Sequence, residues 1–421
     1  MSEIENDPRP AMRRRTLVTA FISVPVTAFL TIAILFYTIY IPIIKDRNDN
    51  AIVFEENNDT IASVAKLKQV IKYLQDNYIE ILSDRQILEA MANGLPNSLN
   101  NPYTYYLSAE DYTRNKESMS GKYVGIGCTV THTVQGETVV IDVIQDSPAQ
   151  IAGLKPGDVM ISVDGENVQL TRDAEEIAAK VRGEEGTEVK IVVYRQSTDK
   201  TITLDIVRKT IKSQNVKYRM LDEKTGYLMI KAFANDVDID FIKAMDDLQS
   251  KGAKNIIFDL RFNPGGNAQT MIEMLDYLLP EDTLLASIKG RESGKPFEIK
   301  WTTKENMKVP VTMKYAILVN EYSASASEFF SGCLRDHGKA VLIGKNTFGK
   351  GSGTSLYELS DGSAVNITMF KYYLPKGESI EGKGLKPDIE IELAENDKFT
   401  PIEQLTFDQD LPLKKALETL E

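Results

Sequence analysis

Hydrophobic and polar positions change rhythm several times along the chain. Residues 16–44, TLVTAFISVPVTAFLTIAILFYTIYIPII, carry no charged side chain. A bilayer core needs about 20 apolar residues, so this run is long enough to span, even with Pro25 near its middle. Residues 45–60 are mostly polar and read as a stalk. Beyond them Ile61, Val64, Leu67, Ile71, Leu74 and Tyr78 recur at helical spacing. Ile87, Leu88, Met91 and Leu95 predict a second helix from about Asp84, with Gly94 near its end. Two such helices make a cap or a dimerisation element rather than an independent domain.

From Gly121 the apolar runs become short and are broken by Gly, Pro and Asp. YVGIGCTV, ETVVIDVI, DVMISVDG and EVKIVVYR read as strands of a small β-rich module. Between the last two, residues 173–182 (DAEEIAAKVR) predict a helix opened by Asp173 with Glu176 three residues on. SPAQIAGLKPGDVMISVDG, residues 147–165, is a series of turns around one short helix. These stretches resemble a PDZ domain over residues 121–208. Gly125, Ile126 and Gly127 match its carboxylate-binding loop, and SPA, AGL, GD and VDG match its central signature. A glycine-flanked loop exposes successive N–H groups that make a nest for a peptide carboxylate. The peptide then adds as an extra strand.

After about residue 210 the pattern changes again. KNIIFDL (254–260) is a continuous apolar run, as expected of a strand buried on both faces. A helical AQTMIEMLDYLL follows, then the strand YAILVN, the helix SASEFFSGCLRDHG and the strand KAVLIG. This order predicts a βαβ unit with a parallel sheet. Ligands gather at the carboxyl ends of such strands, where RFNPGG and EYSASAS fall. The chain is therefore expected to be α/β and β-rich and multidomain. Residues 1–15 form an N-terminal segment and 16–44 an anchor. They are followed by a stalk at 45–60, a helical element at 61–120, the PDZ-like module at 121–208, an α/β core with a mostly parallel sheet at 209–395, and a tail at 396–421. Leu411, Leu413, Leu417 and Leu420 make that tail amphipathic, a second candidate surface for a homodimer.

Charge sharpens two points. The formal charge of −12 argues against nucleic acid as a partner, because phosphate binding needs a concentrated basic surface. Arg9 and Arg13, Arg14 and Arg15 precede the apolar run, whereas only Lys45 and Arg47 follow closely. That asymmetry places residues 1–15 in the cytoplasm of a single-pass membrane protein and the rest outside it. The run is longer than a signal-peptide core and no A-x-A-like site closes it, so it reads as uncleaved. Cys128 and Cys333 lie far apart and read as free thiols. His132 and His337 are the only histidines, which excludes a multi-histidine metal site. No cofactor is implied.

NEYSASASEFFSGCLRDHG, residues 320–338, carries the candidate chemistry. Ser325-Ala-Ser-Glu328 fits a capping box at a helix start. The same geometry also exposes a hydroxyl beside N–H groups that stabilise an oxyanion. A nucleophilic serine needs a base. His337 lies about 18 Å up the same helix and cannot serve; His132 lies in the PDZ-like module. A lysine serves if burial and positive potential lower its pKa from about 10.4 to about 7–8, which takes roughly 4 kcal/mol. Lys350, in NTFGKGSGTS, is the candidate. GKNTFGK also satisfies a phosphate-loop spacing, but Gly351 follows the lysine instead of Ser or Thr, and no helix follows.

The assembled motifs resemble the carboxyl-terminal processing (tail-specific) family of Ser/Lys proteases. NPYTYYLS (101–108), FDLRFNPGG (258–266), SASASE (323–328), TFGKG (347–351) and GKGLKPDIEI (382–391) match its motifs in order. The resemblance implies Ser325 as nucleophile, Lys350 as general base, and the N–H groups of Gly266 and Ala326 as oxyanion hole. Asp336 matches an acidic position that some members need, or is a polar residue at a helix end. Thr354 stands where many members have a glutamine that orients the lysine. The implied enzyme is a serine endopeptidase that takes protein or peptide substrates by their C-termini. Arg182, in VRGEEGTEV, reads either as a coupler of PDZ and active site or as a solvated helix-end cation. The rival reading is an inactive PDZ-bearing scaffold on a degenerate protease core, suggested by Thr354.

Overall fold

A computed structural model describes residues 55, 57–132, 137–169, 171, 174–305, 307–397 and 400–421. The anchor expected at 16–44 lies outside them, as do the N-terminal segment and most of the stalk. Among the described residues, no helix is long and apolar enough to cross a membrane. The chain divides into two compact units between Leu88 and Glu89.

The first unit holds helix α1 (Asn58–Asn77). The Asn57 side chain accepts from the N–H groups of Asp59 and Thr60, and the Thr60 hydroxyl accepts from the N–H of Asn57, which closes a capping box. No residue of α1 is buried. Helix α2 (Asp84–Asn97) begins here and runs on into the second unit. There a short strand β1 (Tyr105–Leu107) precedes helix α3 (Ala109–Ser120). Its sequence, AEDYTRNKESMS, has no apolar period, so hydrophobic patterning gives no sign of it. Its ends do: Ser108 caps the N-terminus and Gly121 takes the left-handed conformation at the C-terminus.

The PDZ-like module departs from the expected strand YVGIGCTV at its centre. That stretch is two strands, β2 (Lys122–Gly125) and β3 (Cys128–His132), in different sheets. Gly127 has φ 84°, and a Cβ there would fall 2.4 Å from Ser147 Cβ, so only glycine allows this break. The module continues with β4 (Thr138–Val143), α4 (Pro148–Ile151), β5 (Asp158–Val163), β6 (Glu166–Asn167), α5 (Ala174–Val181), β7 (Glu188–Arg195) and β8 (Lys200–Val207). Its sheet runs β3-β4-β5-β7-β8, which leaves β3 as an open edge. β9 (Lys209–Lys212) pairs antiparallel with β2, so the chain enters and leaves the module side by side. Both cysteines are free; burial pushes the Cys128 thiol up to about 12 and raises that of Cys333 further.

The core is built on a six-stranded sheet. Its strands are β10 (Val216–Met220), β11 (Thr225–Ile230), β12 (Asn255–Asp259), β15 (Lys314–Val319), β16 (Ala340–Gly344) and β19 (Ile389–Glu390), in that order. All neighbours except β10 and β11 are parallel, as the βαβ reading expects. Helices α6 (Val237–Ser250), α7 (Ala268–Leu278) and α8 (Ala326–Asp336) contribute to the hydrophobic core on one face. Helix α9 (Leu411–Leu420) covers the other, with Leu413, Ala416 and Leu420 buried. The amphipathic face considered for a homodimer is therefore largely used within the chain: Leu417 packs against the same cluster, and Leu411 stays exposed. A second, antiparallel sheet joins β1, β18 (Ala364–Tyr373), β13 (Leu284–Glu292) and β14 (Lys295–Thr302), with β17 (Ser352–Glu358) also on β18.

Candidate active site

The carboxyl ends of β12 and β15 carry the two loops that matter. The first, Arg261–Gly266, is pinned from below. Arg261 is buried and its guanidinium meets the carboxylates of Asp259 and Asp410, while the Tyr227 hydroxyl donates to Asp259 at 2.7 Å. Asp410 caps α9, so this ion cluster ties the loop to the helix on the far face. Asn263 shapes the rest of the loop: its Nδ2 donates to the Ile230 carbonyl, and its Oδ1 accepts from the N–H of Gly265. The glycines let backbone touch backbone. A Cβ on Gly265 would stand 2.7 Å from the Ala324 carbonyl oxygen and 2.9 Å from the Ala326 nitrogen. One on Gly266, with φ 141°, would stand 2.3 Å from the Phe233 carbonyl oxygen.

The second loop leads from β15 into α8 and holds the three serines. Ser323 and Ser327 are fully buried, and their hydroxyls donate to the carbonyls of Leu260 and Asn263 at 2.8 and 2.9 Å. They clamp this loop to the first. Ser325 is the half-buried one, with φ 55° and ψ −114°, a strained backbone for a non-glycine residue. Its position at the start of α8 sets it beside the N–H of Ala326. Among the described residues, the N–H groups of Ala326 and Gly266 have no acceptor. The structure therefore brings Ser325 and Ala326 against the Gly265 backbone.

Glu328 does more than complete the capping box. It is fully buried, and its carboxylate accepts from the N–H groups of Ser325, Gly349 and Lys350 at 2.9, 2.7 and 2.9 Å. The Thr347 hydroxyl donates to it at 2.5 Å. One carboxylate thus positions the turn of Ser325 and the loop of Lys350 together. Burial raises its pKa, and the bonds from Thr347 and the three N–H groups oppose that shift. The Tyr372 hydroxyl, also buried, adds a second tie by donating to the Lys350 carbonyl at 2.9 Å and approaching that of Ser325 at 3.3 Å. Gly351 donates its N–H to Glu381 at 2.7 Å, which straps the lysine loop to the GKG stretch that follows.

Lys350 itself is mostly buried. Burial lowers its pKa, with partial opposition from Glu381 and Glu328. Among the described residues its Nζ has no hydrogen-bond acceptor and no ion-pair partner; it lies 4.7 Å above the ring of Tyr103. Thr354 sits on β17 opposite Thr368 and makes no hydrogen bond to Lys350. Asp336 is at the opposite end of α8 from Ser325, where its carboxylate accepts from the Lys376 N–H and pairs with Arg335. His337 caps the same end, its Nε2 at 2.8 Å from the Leu284 carbonyl. Neither reaches the site. Sequence reading passed over Tyr103, Glu328 as a junction, and the Asp259–Arg261–Asp410 cluster, although each stands in or beside a motif it quoted.

In the PDZ-like module, Tyr123, Gly125, Ile126, Gly127, Val181 and Arg182 line a groove of about 250 Å³ between β3 and α5. The carbonyls of Ile126 and Gly127 are taken by the N–H groups of Ala149 and Ile144. Arg182 is half-buried in this groove, 5.8 Å over the Tyr123 ring, rather than a solvated helix-end cation.

Comparison with known proteins agrees with this architecture. The pattern of peptidase family S41 matches residues 224–391, and that of the PDZ domain matches residues 139–195. A "Probable CtpA-like serine protease" of Staphylococcus aureus (strain bovine RF122 / ET3-1) is 33% identical over 372 residues, 88% of this chain and 72% of that protein. A protein of the same description from Staphylococcus epidermidis is 33% identical over 335 residues, covering 80% of this chain and 67% of its own. A crystal structure from Bacteroides fragilis NCTC 9343, assigned to the S41 proteases, superposes with a TM-score of 0.53 at 18% identity. It covers 89% of this chain and 92% of its own, and shows the fold. The chain belongs to peptidase family S41, as a PDZ-bearing serine protease of the carboxyl-terminal processing kind.

Proposed function

We propose that the chain is a membrane-anchored endopeptidase that works outside the cytoplasm and cleaves by a Ser/Lys mechanism. The observation that carries the mechanism is the Glu328 carboxylate, which holds the Ser325 and Lys350 backbones on one acceptor, with Lys350 buried and unpaired beside them. Neutral Lys350 takes the proton of Ser325 Oγ as that oxygen adds to the scissile carbonyl carbon. The carbonyl oxygen gains the electron pair and is held by the N–H groups of Gly266 and Ala326. Lys350 returns its proton to the leaving amine, the C–N bond breaks, and water then hydrolyses the acyl-serine by the reverse sequence.

The groove beside Gly125–Gly127 would receive a substrate's C-terminal carboxylate, with the peptide adding to the open edge of β3. The apolar run 16–44 and its flanking arginines support a single-pass anchor in a bacterial cell membrane, with residues 1–15 in the cytoplasm. Ile61, Leu67, Tyr73 and Leu74 on α1 are exposed and favour a second copy as partner, which analytical ultracentrifugation checks. The decisive assay uses the full chain in detergent micelles on an unfolded protein with an apolar C-terminus. Ser325→Ala and Lys350→Ala should each abolish cleavage while the chain still melts cooperatively. Cleavage surviving Lys350→Ala overturns the mechanism. Activity in intact cells on an externally added, membrane-impermeant substrate checks the side of the membrane.

A further inference from the structure

Lys350 raises a question that the hydrogen bonds leave open: what holds its amine. Its N–H and carbonyl are fixed by Glu328 and Tyr372, but those contacts place the backbone alone. Thr354 does not reach it, and the side chain that faces the Nζ is the Tyr103 ring, with the centroid at 4.7 Å. We propose that Tyr103 is the positioning residue for the base, and that its ring face stabilises the ammonium formed on Lys350 as Ser325 is deprotonated. The inference rests on the Ser/Lys reading above.

Three observations carry it. First, the distance lies within the range of about 6 Å over which a cation is attracted to a ring face. Second, the ring is built in and shares its support with the lysine. The Tyr103 carbonyl accepts from Asn366 Nδ2 at 2.8 Å, and its N–H donates to Asn101 Oδ1 at 2.9 Å. Next to it, Thr104 Oγ1 accepts from the Thr368 N–H at 3.0 Å. Asn366 and Thr368 lie on β18, the strand that pairs with β17, and β17 begins two residues after Lys350. Third, the ring stays a neutral phenol: burial, with the charges of Glu381 and Glu328, holds Tyr103 above its usual pKa.

The energetic logic is differential. A neutral amine gains little from a ring quadrupole, whereas an ammonium gains about 0.5–2 kcal/mol. The contact therefore strengthens as the proton moves from Oγ to Nζ, which is where an interaction accelerates the step instead of tightening the ground state. A carboxylate partner would stabilise the ammonium of the resting enzyme and spoil the base. The ring supports the cation weakly enough for burial to keep the amine available. The charged or titratable groups around the lysine are Glu328 from α8, Glu381 from the loop after β18, Tyr372 from β18 and Tyr103 itself.

The test is a pH–rate profile of the full chain in micelles with an unfolded protein substrate. Tyr103→Leu keeps an apolar cover but removes the quadrupole. It should lower kcat about twofold to thirtyfold with a smaller change in KM. The acid limb, which reports loss of the proton from Lys350, should move to lower pH, because the ammonium has lost support. Tyr103→Phe should restore both. Fluorinated phenylalanines at the same position should lower kcat stepwise as ring electron density falls, a readout available if the leucine variant fails to fold. An unchanged kcat and limb in Tyr103→Leu, or a flat fluorination series, overturns the inference. The Ser/Lys reading fails separately, by cleavage that survives Lys350→Ala.

Discussion

The carboxylate of Glu328 lies 2.9 Å from the backbone nitrogen of Lys350, across 22 residues of chain. The same oxygen accepts from the N–H of Ser325. Four donors converge on a group that can only accept. Glu328→Gln keeps the shape but turns one oxygen into an NH₂ that faces donors, so at least one pairing is lost in a buried site. The two loops should then drift by a fraction of an ångström to an ångström, and misplacement on that scale costs about a hundredfold. We expect kcat to fall by about that factor, with stability lower by about 1–3 kcal/mol in urea titrations. An unchanged kcat would mean that the ties through Tyr372 suffice.

Lys350→Met should abolish cleavage and yet stabilise the fold at neutral pH. Burial holds the folded-state pKa of Lys350 below its ordinary 10.5. Between that lowered value and 10.5 the unfolded chain binds more protons, so this residue makes stability rise with pH. Below the folded value the cost of burying the ammonium is present in full, and methionine removes it. The melting temperature of the variant should exceed the parent's at pH 7, and the gap should shrink as pH approaches 10.5. A variant less stable than its parent at pH 7 would show the ammonium to be well compensated.

How far the sequence discloses this depends on what each feature rests on. The parallel sheet is legible because KNIIFDL, YAILVN and KAVLIG are apolar runs of strand length in βαβ order. Helix α3 is not, because its face toward the protein buries only Tyr112 and its signals lie at its caps, Ser108 and Gly121. The split of YVGIGCTV hinges on the Gly127 approach to Ser147, a contact between residues in different turns. Ser325 and Lys350 are readable from motif and order. The role of Glu328 is half readable: S-x-x-E announces the bond to Ser325, but nothing local announces the Lys350 loop. The partner of Arg261 is the hardest to see, since Asp410 is 149 residues away.

Gly127→Ala should separate peptide capture from catalysis. An alanine there needs a left-handed backbone and puts its Cβ 2.4 Å from Ser147 Cβ, so the Gly125–Gly127 loop must move. Anisotropy of a labelled peptide with an apolar C-terminus should show binding weakened at least tenfold. Urea unfolding of the core, followed by the single tryptophan Trp301, which packs on Phe329 and Phe370 at 6.0 and 5.7 Å, should keep its midpoint. Equal loss of both would mean that the module and the core fold as one cooperative block.

Arg261→Met tests whether the ion cluster beneath the first loop holds the site or merely tolerates burial. Arg261, Asp259 and Asp410 are nearly inaccessible, with side-chain exposures of 3%, 0% and 4%. Removing the cation alone leaves two carboxylates buried without a counter-charge, a change that typically costs about 3–5 kcal/mol. The loss should appear as a lower urea midpoint with exposure of α9, because Asp410 caps that helix. The damage should also reach chemistry, since Asn263 and the two glycines follow directly on Arg261. Adding Asp259→Asn and Asp410→Asn removes the stranded charges while retaining their size, so most of the stability should return. If it does, and kcat stays low, the guanidinium orients the loop. If kcat returns with stability, the cluster serves the fold alone.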